Sequence, residues 1–218
     1  MKVRLISHTT PAEELILEGL TLPNELIAYC ARISNPSNQM NHQTADKLIT
    51  YLMSHKHYSP LEMVDVTLEI ETTRDIARQA LRHRSFVFQE FSQRYADPVK
   101  ELDFVIRETR LQDTTNRQKS IKTDDRELID WWESQQRELI AKVRAIYSQA
   151  LDLGIAKEQA RAILPEGLTV SRMYMKGSLR SWIHYCEVRT DESTQEEHRE
   201  VALAIAKVIS NVFPIINR

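Results

Sequence analysis

The 218-residue sequence contains little glycine and little cysteine, and it has no long apolar run. Its 4 glycines form no GxGxxG or Walker-type loop, so a bound nucleotide would have to be recognised largely by side chains. Its 2 cysteines, Cys30 and Cys186, are too few for a disulfide framework and suit a reducing compartment. No stretch approaches the roughly 20 apolar residues of a membrane span, and the first residues do not resemble a signal peptide. We therefore expect a cytoplasmic protein with no membrane partner.

The chain also lacks an excess of charge of either sign. Hydrophobic residues make up 42% and charged residues 28%, and the formal net charge is −2. These values are typical of a soluble globular protein, and they provide no overall basic field that would attract a polyanion. We therefore expect a single domain over residues 1–218, no nucleic-acid partner, and only local anion sites.

Hydrophobic periodicity predicts an α+β fold, in which helices pack on a small antiparallel sheet. Alternating residues predict strands at 2–7, 61–72 and 168–175, with a loop or strand around the phenylalanines of 86–91. Helical spacing predicts helices at 23–33, 44–55, 74–83, 125–153, 156–163, 178–187 and 193–212. The polar residues of 108–125 predict an exposed loop.

The densest unusual segment is cationic and runs from Arg78 to Arg94. Arg78 and Arg82 are four residues apart and share a helix face, where like charges repel unless an anion lies between them. Ser92 and Arg94 add a hydroxyl and a forked donor, both suited to phosphate. Two other interpretations remain open. The cluster could be a solvated helix end that offsets the helix dipole, or a nucleic-acid-binding helix, which the acidic net charge disfavours.

The order of motifs around this segment resembles one enzyme family. Arg82-His83-Arg84, followed by seven residues and then Ser92, matches the RHR-x7-S signature of flavin-dependent thymidylate synthases. Residues 57–62 resemble the family's His-x-[Ser/Thr]-Pro-x-Glu turn, and residues 160–165 resemble its Ala-Arg-x-x-Leu-Pro segment. The chain is therefore identified as a member, over about residues 30–205. It departs from the usual pattern at Met63, Gln93 and Ser178. The resemblance also implies that 98–123 is a variable loop, in which members of the family differ.

This resemblance implies an enzyme that methylates dUMP to dTMP. FAD would be the cofactor, and 5,10-methylenetetrahydrofolate and NADPH would be the carbon donor and the reductant. The resemblance also implies a homotetramer, in which the subunit interface completes each active site.

The resemblance further implies a role for each matching residue. The positions that match flavin contacts are Ser34, His57, Ser59, Arg82, His83, Arg84, Gln89, Glu90, Ser178, Arg180 and His184. The positions that match dUMP contacts are Gln79, Arg82, Glu90, Ser92, Gln93, Arg94, Arg161 and Arg189. Arg189 is the expected catalytic residue, because a guanidinium near the uracil carbonyl would stabilise the negative charge that develops there.

Other chemistries are weaker candidates. His55, His57, Glu62 and His83 match no standard zinc spacing, so we expect no metal. Neither cysteine has the surroundings of a catalytic thiol, and both are predicted to be buried structural residues. Trp131 and Trp132 are predicted to pack in the core or between subunits. A member of the family that only binds nucleotide remains an alternative to the active enzyme.

Overall fold

The computed structural model describes residues 1–214 and contains a four-stranded sheet with a separate two-stranded hairpin. The strands are β1 (Lys2–His8), β2 (Asp65–Thr73), β3 (Val87–Glu90), β4 (Arg110–Gln112), β5 (Ser120–Lys122) and β6 (Val170–Ser178). The main sheet has the order β1-β2-β6-β3, and every neighbouring pair is antiparallel. Strands β4 and β5 form the hairpin. The predicted α+β class with a small antiparallel sheet is confirmed.

Helices pack against this sheet. They are α1 (Glu13–Leu17), α2 (Pro23–Ala31), α3 (Ala45–Ser54), α4 (Arg74–Ala80), α5 (Pro98–Glu101), α6 (Arg126–Asp152), α7 (Lys157–Ala160), α8 (Leu179–Arg189) and α9 (Glu196–Val212). The sequence offers Asp124 or Asp125 as the cap of α6, and the structure shows that Asp125 accepts a hydrogen bond from Leu128 N. No helix among residues 1–214 is long and apolar enough to cross a membrane.

The main core lies on one face of the sheet. Strand β2 alternates, so that Val66, Leu68 and Ile70 are fully buried against helices α8 and α9. The opposite face carries charged residues, among them Glu71, which pairs with Lys2 and Arg172. A smaller core, centred on Tyr147, joins α6 to the segment after it. The sheet therefore has one face that packs and one face covered by ion pairs.

The first part of the predicted 61–72 strand is wrong. Residues Ser59–Met63 form a 3-10 turn with Pro60 in its first turn, and the strand begins only at Asp65. Leu61 and Val64 are both fully buried. Their spacing of three residues suits a helical turn and not an alternating strand.

Four further expectations need correction. The predicted 108–125 loop contains the β4–β5 hairpin, and Thr109 within it is buried. Helix α1 was not predicted at all. Helix α4 ends at Ala80, three residues earlier than expected. Trp131 and Trp132 are 57% and 41% exposed, so they do not belong to the core of this chain, and their packing between subunits stays a prediction.

Candidate active site

The Arg82–Arg84 segment follows directly from the early end of α4. His83 N donates to Ala80 O and Phe86 N donates to His83 O, so the chain makes a tight bend between α4 and β3. The Phe86 ring lies on Gly177 of β6, where an added Cβ would come within 2.5 Å of the ring. This close approach requires glycine, and it anchors the bend against the sheet.

The N-terminus of α8 gathers three polar side chains. Ser178 caps the helix by accepting a hydrogen bond from Ser181 N, and its hydroxyl also donates to Glu62. Arg180 pairs with the other oxygen of the same carboxylate at 2.9 Å. Glu62 therefore joins the 3-10 turn to α8. Ser178 and Arg180, two of the predicted flavin positions, are brought together by a residue to which sequence reasoning gave no ligand role.

A cleft of about 420 Å³ lies beside this cluster. Its lining comes from three segments: Tyr58 and Glu62 at the 3-10 turn before β2, Ser85 in the bend, and Arg180 and His184 on α8. His57 and Ser59 are exposed next to Tyr58, and Arg82 and Arg84 are exposed next to Ser85. Of the predicted flavin positions, Arg180 and His184 line this cleft, and His57, Ser59 and Arg84 are next in sequence to residues that line it. Ser34, an exposed residue beyond the end of α2, does not line it.

Arg189 is held by His83, which is a neutral base. Arg189 Nε donates to His83 Nε2 at 3.0 Å, so the imidazole must carry its proton on Nδ1. Burial, together with the nearby Arg189 and His184, lowers the pKa of His83 from 6.5 to about 4. Arg189 is therefore oriented without a carboxylate that would neutralise its charge.

The arginines of this region differ in whether a carboxylate pairs with them. Arg78 pairs with Glu166 at 2.6 Å and Arg94 pairs with Glu158 at 3.5 Å. The described residues place no carboxylate within 4.0 Å of the charged nitrogens of a second group, which comprises Arg82, Arg84, Arg161 and Arg189. Cations that lack an internal counter-charge are suited to bind phosphate or another anion.

The predicted dUMP residues Ser92, Gln93 and Arg94 lie at the opposite end of β3 from the cleft. The Lys157 side chain donates to Tyr95 O and Arg94 pairs with Glu158, so this loop packs on α7, which leads into Arg161. Three steps along β3 span about 10 Å. Within one chain, Arg82–Arg84 and Ser92–Arg94 therefore lie at opposite ends of β3 and are not adjacent.

Gln89 and Glu90 point to opposite faces of the sheet. Gln89 is exposed and pairs with Tyr174 across the outer face. Glu90 accepts from Ser171 at 2.7 Å and lies 3.4 Å from Arg74. Because side chains alternate along a strand, these two predicted flavin contacts cannot face one ligand from the same side of this strand.

Gln79 belongs to a chain of side-chain hydrogen bonds that reaches α9. Its Nε2 donates to Gln195 at 2.7 Å, and its Oε1 lies 3.1 Å from Nδ1 of His198. On the other side of the imidazole, the Tyr185 hydroxyl lies 2.8 Å from Nε2. His198 is fully buried, and sequence reasoning gave it no role. A signal existed, because residues 198, 202, 205 and 209 lie on one face of α9 at helical spacing and are all buried.

Sequence reasoning also missed Arg107. This side chain donates to the Gly167 carbonyl and the Thr73 hydroxyl, and it pairs with Asp75 at 2.7 Å and Glu197 at 3.0 Å. Arg110 pairs with the same Glu197. The segment expected to be a free loop is therefore tied to β2, α4 and α9. Nothing in its polar sequence indicates these partners.

The structure shows the burial of the two cysteines and the arrangement of possible metal ligands. Cys30 and Cys186 are free and only partly buried, so full burial of both was a wrong expectation. Burial raises the pKa of Cys186 to about 12, which leaves a thiol and not a reactive thiolate. Residues 1–214 contain no group of three or more His, Cys, Asp or Glu arranged to hold a metal ion.

The sequence as a whole matches known proteins along almost its full length. The model of the family described as "Thymidylate synthase complementing protein" matches residues 15–215. The chain is 49% identical over 217 residues to a flavin-dependent thymidylate synthase from Synechocystis, covering 99% of this chain and 97% of the relative. It is 46% identical over 216 residues to a probable flavin-dependent thymidylate synthase from Paramecium bursaria Chlorella virus 1, with the same coverage of both chains.

A solved structure supports the fold. A UMP/dUMP methylase from Streptomyces cacaoi, crystallised with 5-Br dUMP, superimposes with a TM-score of 0.79 at 23% sequence identity. The match covers 99% of this chain and 92% of that one. This likeness shows that the two chains share a fold. The family match and the two full-length relatives are more specific: the chain belongs to the flavin-dependent thymidylate synthase family.

Proposed function

We propose that this protein makes dTMP by reductive methylation of dUMP, with FAD as cofactor, 5,10-methylenetetrahydrofolate as carbon donor and NADPH as reductant. The observation that carries this proposal is the family match, and it is supported by Arg82 and Arg84, which have no carboxylate partner among residues 1–214 and lie close in sequence to Ser85 of the cleft. The finer parts of the proposal are a homotetrameric assembly and a cytoplasmic location.

Arginines near the cleft would hold a flavin dinucleotide, because the lining itself carries Glu62 and Glu187 beside Arg180. With only 4 glycines, the chain has no glycine-rich loop to hold a pyrophosphate, so cationic side chains must do so. Arg82 and Arg84 are exposed beside the cleft and have no carboxylate partner among residues 1–214. Ser59, His184 and Arg180 would supply further polar contacts. When bound, the flavin supplies the reducing equivalents, which no amino-acid side chain here can provide.

Arg189 is suited to stabilise negative charge on the uracil ring. Its Nε is occupied by neutral His83, which leaves the two terminal nitrogens of the guanidinium free to donate. Because no carboxylate offsets its charge, Arg189 keeps its full electrostatic effect on a nearby carbonyl. The phosphate would be bound by Ser92, Arg94 and Arg161, for which Arg94 would exchange its exposed pairing with Glu158.

We infer that a second copy of the chain brings the two groups of site residues face to face. Arg82–Arg84 and Ser92–Arg94 lie at opposite ends of β3, a strand about 10 Å long. A second subunit that presents its phosphate-binding end to the first subunit's cleft would complete a site. Such a shared site agrees with the homotetramer that is part of the proposal.

Absorbance and product assays test the activity. The purified protein should be yellow with a flavin spectrum and should form dTMP from dUMP, methylenetetrahydrofolate and NADPH. Flavin without dTMP would indicate a nucleotide-binding relative that lacks turnover. A colourless protein whose DNA affinity falls steeply with salt would contradict the proposal and favour a nucleic-acid-binding function.

Mixing inactive variants tests the shared site. Arg84→Ala and Arg94→Ala proteins, unfolded together and refolded as mixed oligomers, should regain part of the lost activity, because some sites then contain neither substitution. Mixed oligomers without any activity would argue for sites built inside one chain. Refolded wild-type protein is the control for recovery.

A further inference from the structure

Glu187 is a carboxylate in the lining of the cleft that no cation neutralises. It lies on α8 three residues after His184 and seven after Arg180, and all three side chains line the cleft. Among residues 1–214, no Lys, Arg or His nitrogen lies within 4.0 Å of its oxygens. Glu62, the other carboxylate of the lining, pairs with Arg180 at 2.9 Å. Glu187 therefore presents its full negative charge to the cleft.

The position of Glu187 within α8 is unfavourable for the helix. The helix ends at Arg189, so residue 187 belongs to its last turn, close to the negative end of the helix dipole. An anion placed there destabilises the helix, and no ion pair compensates for this cost among residues 1–214. Such local conflicts are expected at positions that serve a ligand.

The rest of the lining suits the sugar of a nucleotide better than a large flat ring. Sites for ring systems are lined mainly by apolar and aromatic side chains. Here Ser85 and Ser181 add hydroxyl groups, and Ile183 is the aliphatic residue of the lining. Tyr58 supplies one aromatic ring, which is enough to cover one face of a base. We therefore assign the adenosine half of a dinucleotide to this cleft.

A carboxylate distinguishes a free ribose from a phosphorylated one. It can only accept hydrogen bonds, and the two adjacent hydroxyls of a ribose are donors that match its two oxygens. Acidic side chains have this role in other dinucleotide sites. A phosphate on the 2′-oxygen removes one donor and places a second negative charge beside the first.

We propose that Glu187 is a specificity residue of the flavin cleft, which accepts hydrogen bonds from the adenosine ribose of FAD and excludes dinucleotides that carry a 2′-phosphate. This inference rests on the proposed function, in which one protein uses both FAD and NADPH. The two share an ADP half and differ there at the 2′-position, which is free in FAD and phosphorylated in NADPH. A fixed anion at this position keeps the reductant from displacing the cofactor.

The test measures how well NAD+ and NADP+ displace FAD from the flavin-loaded protein. These probes differ only in the 2′-phosphate, and released FAD is measured by its absorbance after ultrafiltration. For the wild type, NADP+ should require a concentration at least about tenfold higher than NAD+, because two negative charges about 4 Å apart near a protein surface repel strongly. In Glu187→Gln the two probes should become nearly equivalent, and in Glu187→Arg the preference should reverse.

Glu192→Gln is the matched control. Glu192 is exposed just beyond α8, is not part of the lining, and loses the same charge on substitution. Its ratio of NADP+ to NAD+ should equal that of the wild type, and an equal shift in both variants would reduce the effect to net charge and overturn the inference. Glu187→Gln should unfold at or above the wild-type temperature, because the helix loses an unfavourable charge. A Tm several degrees lower would identify a structural residue instead.

The outcomes separate this inference from the proposed function. If the wild type holds FAD and Glu187→Gln leaves the ratio of the two probes unchanged, the inference is wrong while the function stands. The same conclusion follows if neither probe displaces FAD from any variant, because the cleft then does not take the shared ADP half. If the wild type holds no FAD, the proposed function itself fails.

Discussion

Arg107→Ala should destabilise the protein strongly, although the residue lies in a segment that the sequence describes as a loop. Its side chain is 16% exposed, and it loses hydrogen bonds to Gly167 O at 2.8 Å and to Thr73 at 2.6 Å. The substitution also removes one cation from Asp75 and Glu197, which are 30% and 19% exposed. Breaking a fully buried ion pair costs about 3–5 kcal/mol.

The expected cost is at the lower end of this range, because both carboxylates keep other partners. Glu197 retains Arg110, and Asp75 retains the backbone N–H of Ile76. We therefore expect a loss of about 3 kcal/mol. For a chain of this size, each kcal/mol lowers the Tm by about 2–4 °C, so the Tm should fall by about 6–12 °C.

Thermal unfolding followed by circular dichroism measures this change. The control is Arg117→Ala, an exposed arginine in the β4–β5 hairpin, which should unfold within about 1 °C of wild type. A Tm for Arg107→Ala that equals the control would refute the reasoning. It would mean that these ion pairs form in the folded chain without contributing to its stability.

Three further predictions concern the site. Arg189→Ala should abolish dTMP formation while leaving the flavin spectrum intact, and full turnover in this variant would remove Arg189 from the mechanism. Arg94→Ala should weaken dUMP binding by about 2 kcal/mol, as expected for a lost charged hydrogen bond; calorimetric titration measures this, and unchanged affinity would exclude a phosphate contact. Lowering the pH should destabilise the protein, because the pKa values of His83 and His198 are about 4 in the folded protein, below the ordinary histidine value of 6.5. The unfolded state then binds more protons between these values, so stability is fully present above pH 6.5 and declines as the pH falls towards 4; denaturant titrations from pH 7 to 5 that give a constant free energy of unfolding would contradict this sign.

The sequence predicts most of the fold because local patterns determine most of its elements. The alternation of β2, the cap at Asp125 and the helical spacing of α9 are each visible within a few residues. The sequence does not predict the elements that depend on contacts between residues far apart in the chain. The 3-10 turn before β2 forms because Leu61 and Val64 both enter the core. The β4–β5 hairpin is held by the ion pair between its own Arg110 and Glu196 of α9.

The candidate site was predicted in part for the same reason. Motif spacing identified Arg82, His83 and Arg189, and the structure brings His83 and Arg189 to 3.0 Å of each other. The spacing could not reveal that β3 separates Arg82–Arg84 from Ser92–Arg94, because that depends on which residues are extended. The helical spacing of α9 places His198 on the buried face, but the charged residues beside it in sequence give no sign of its hydrogen-bond partners.

The contact between Gly177 and Phe86 makes a position without any side chain important for the chemistry. A substitution as small as alanine would displace the aromatic ring, and the ring is the support on which the cationic bend rests. The bend would then move relative to α8, and His83 would no longer meet Arg189. A single methyl group at Gly177 would thus silence the enzyme while the sheet itself remains folded.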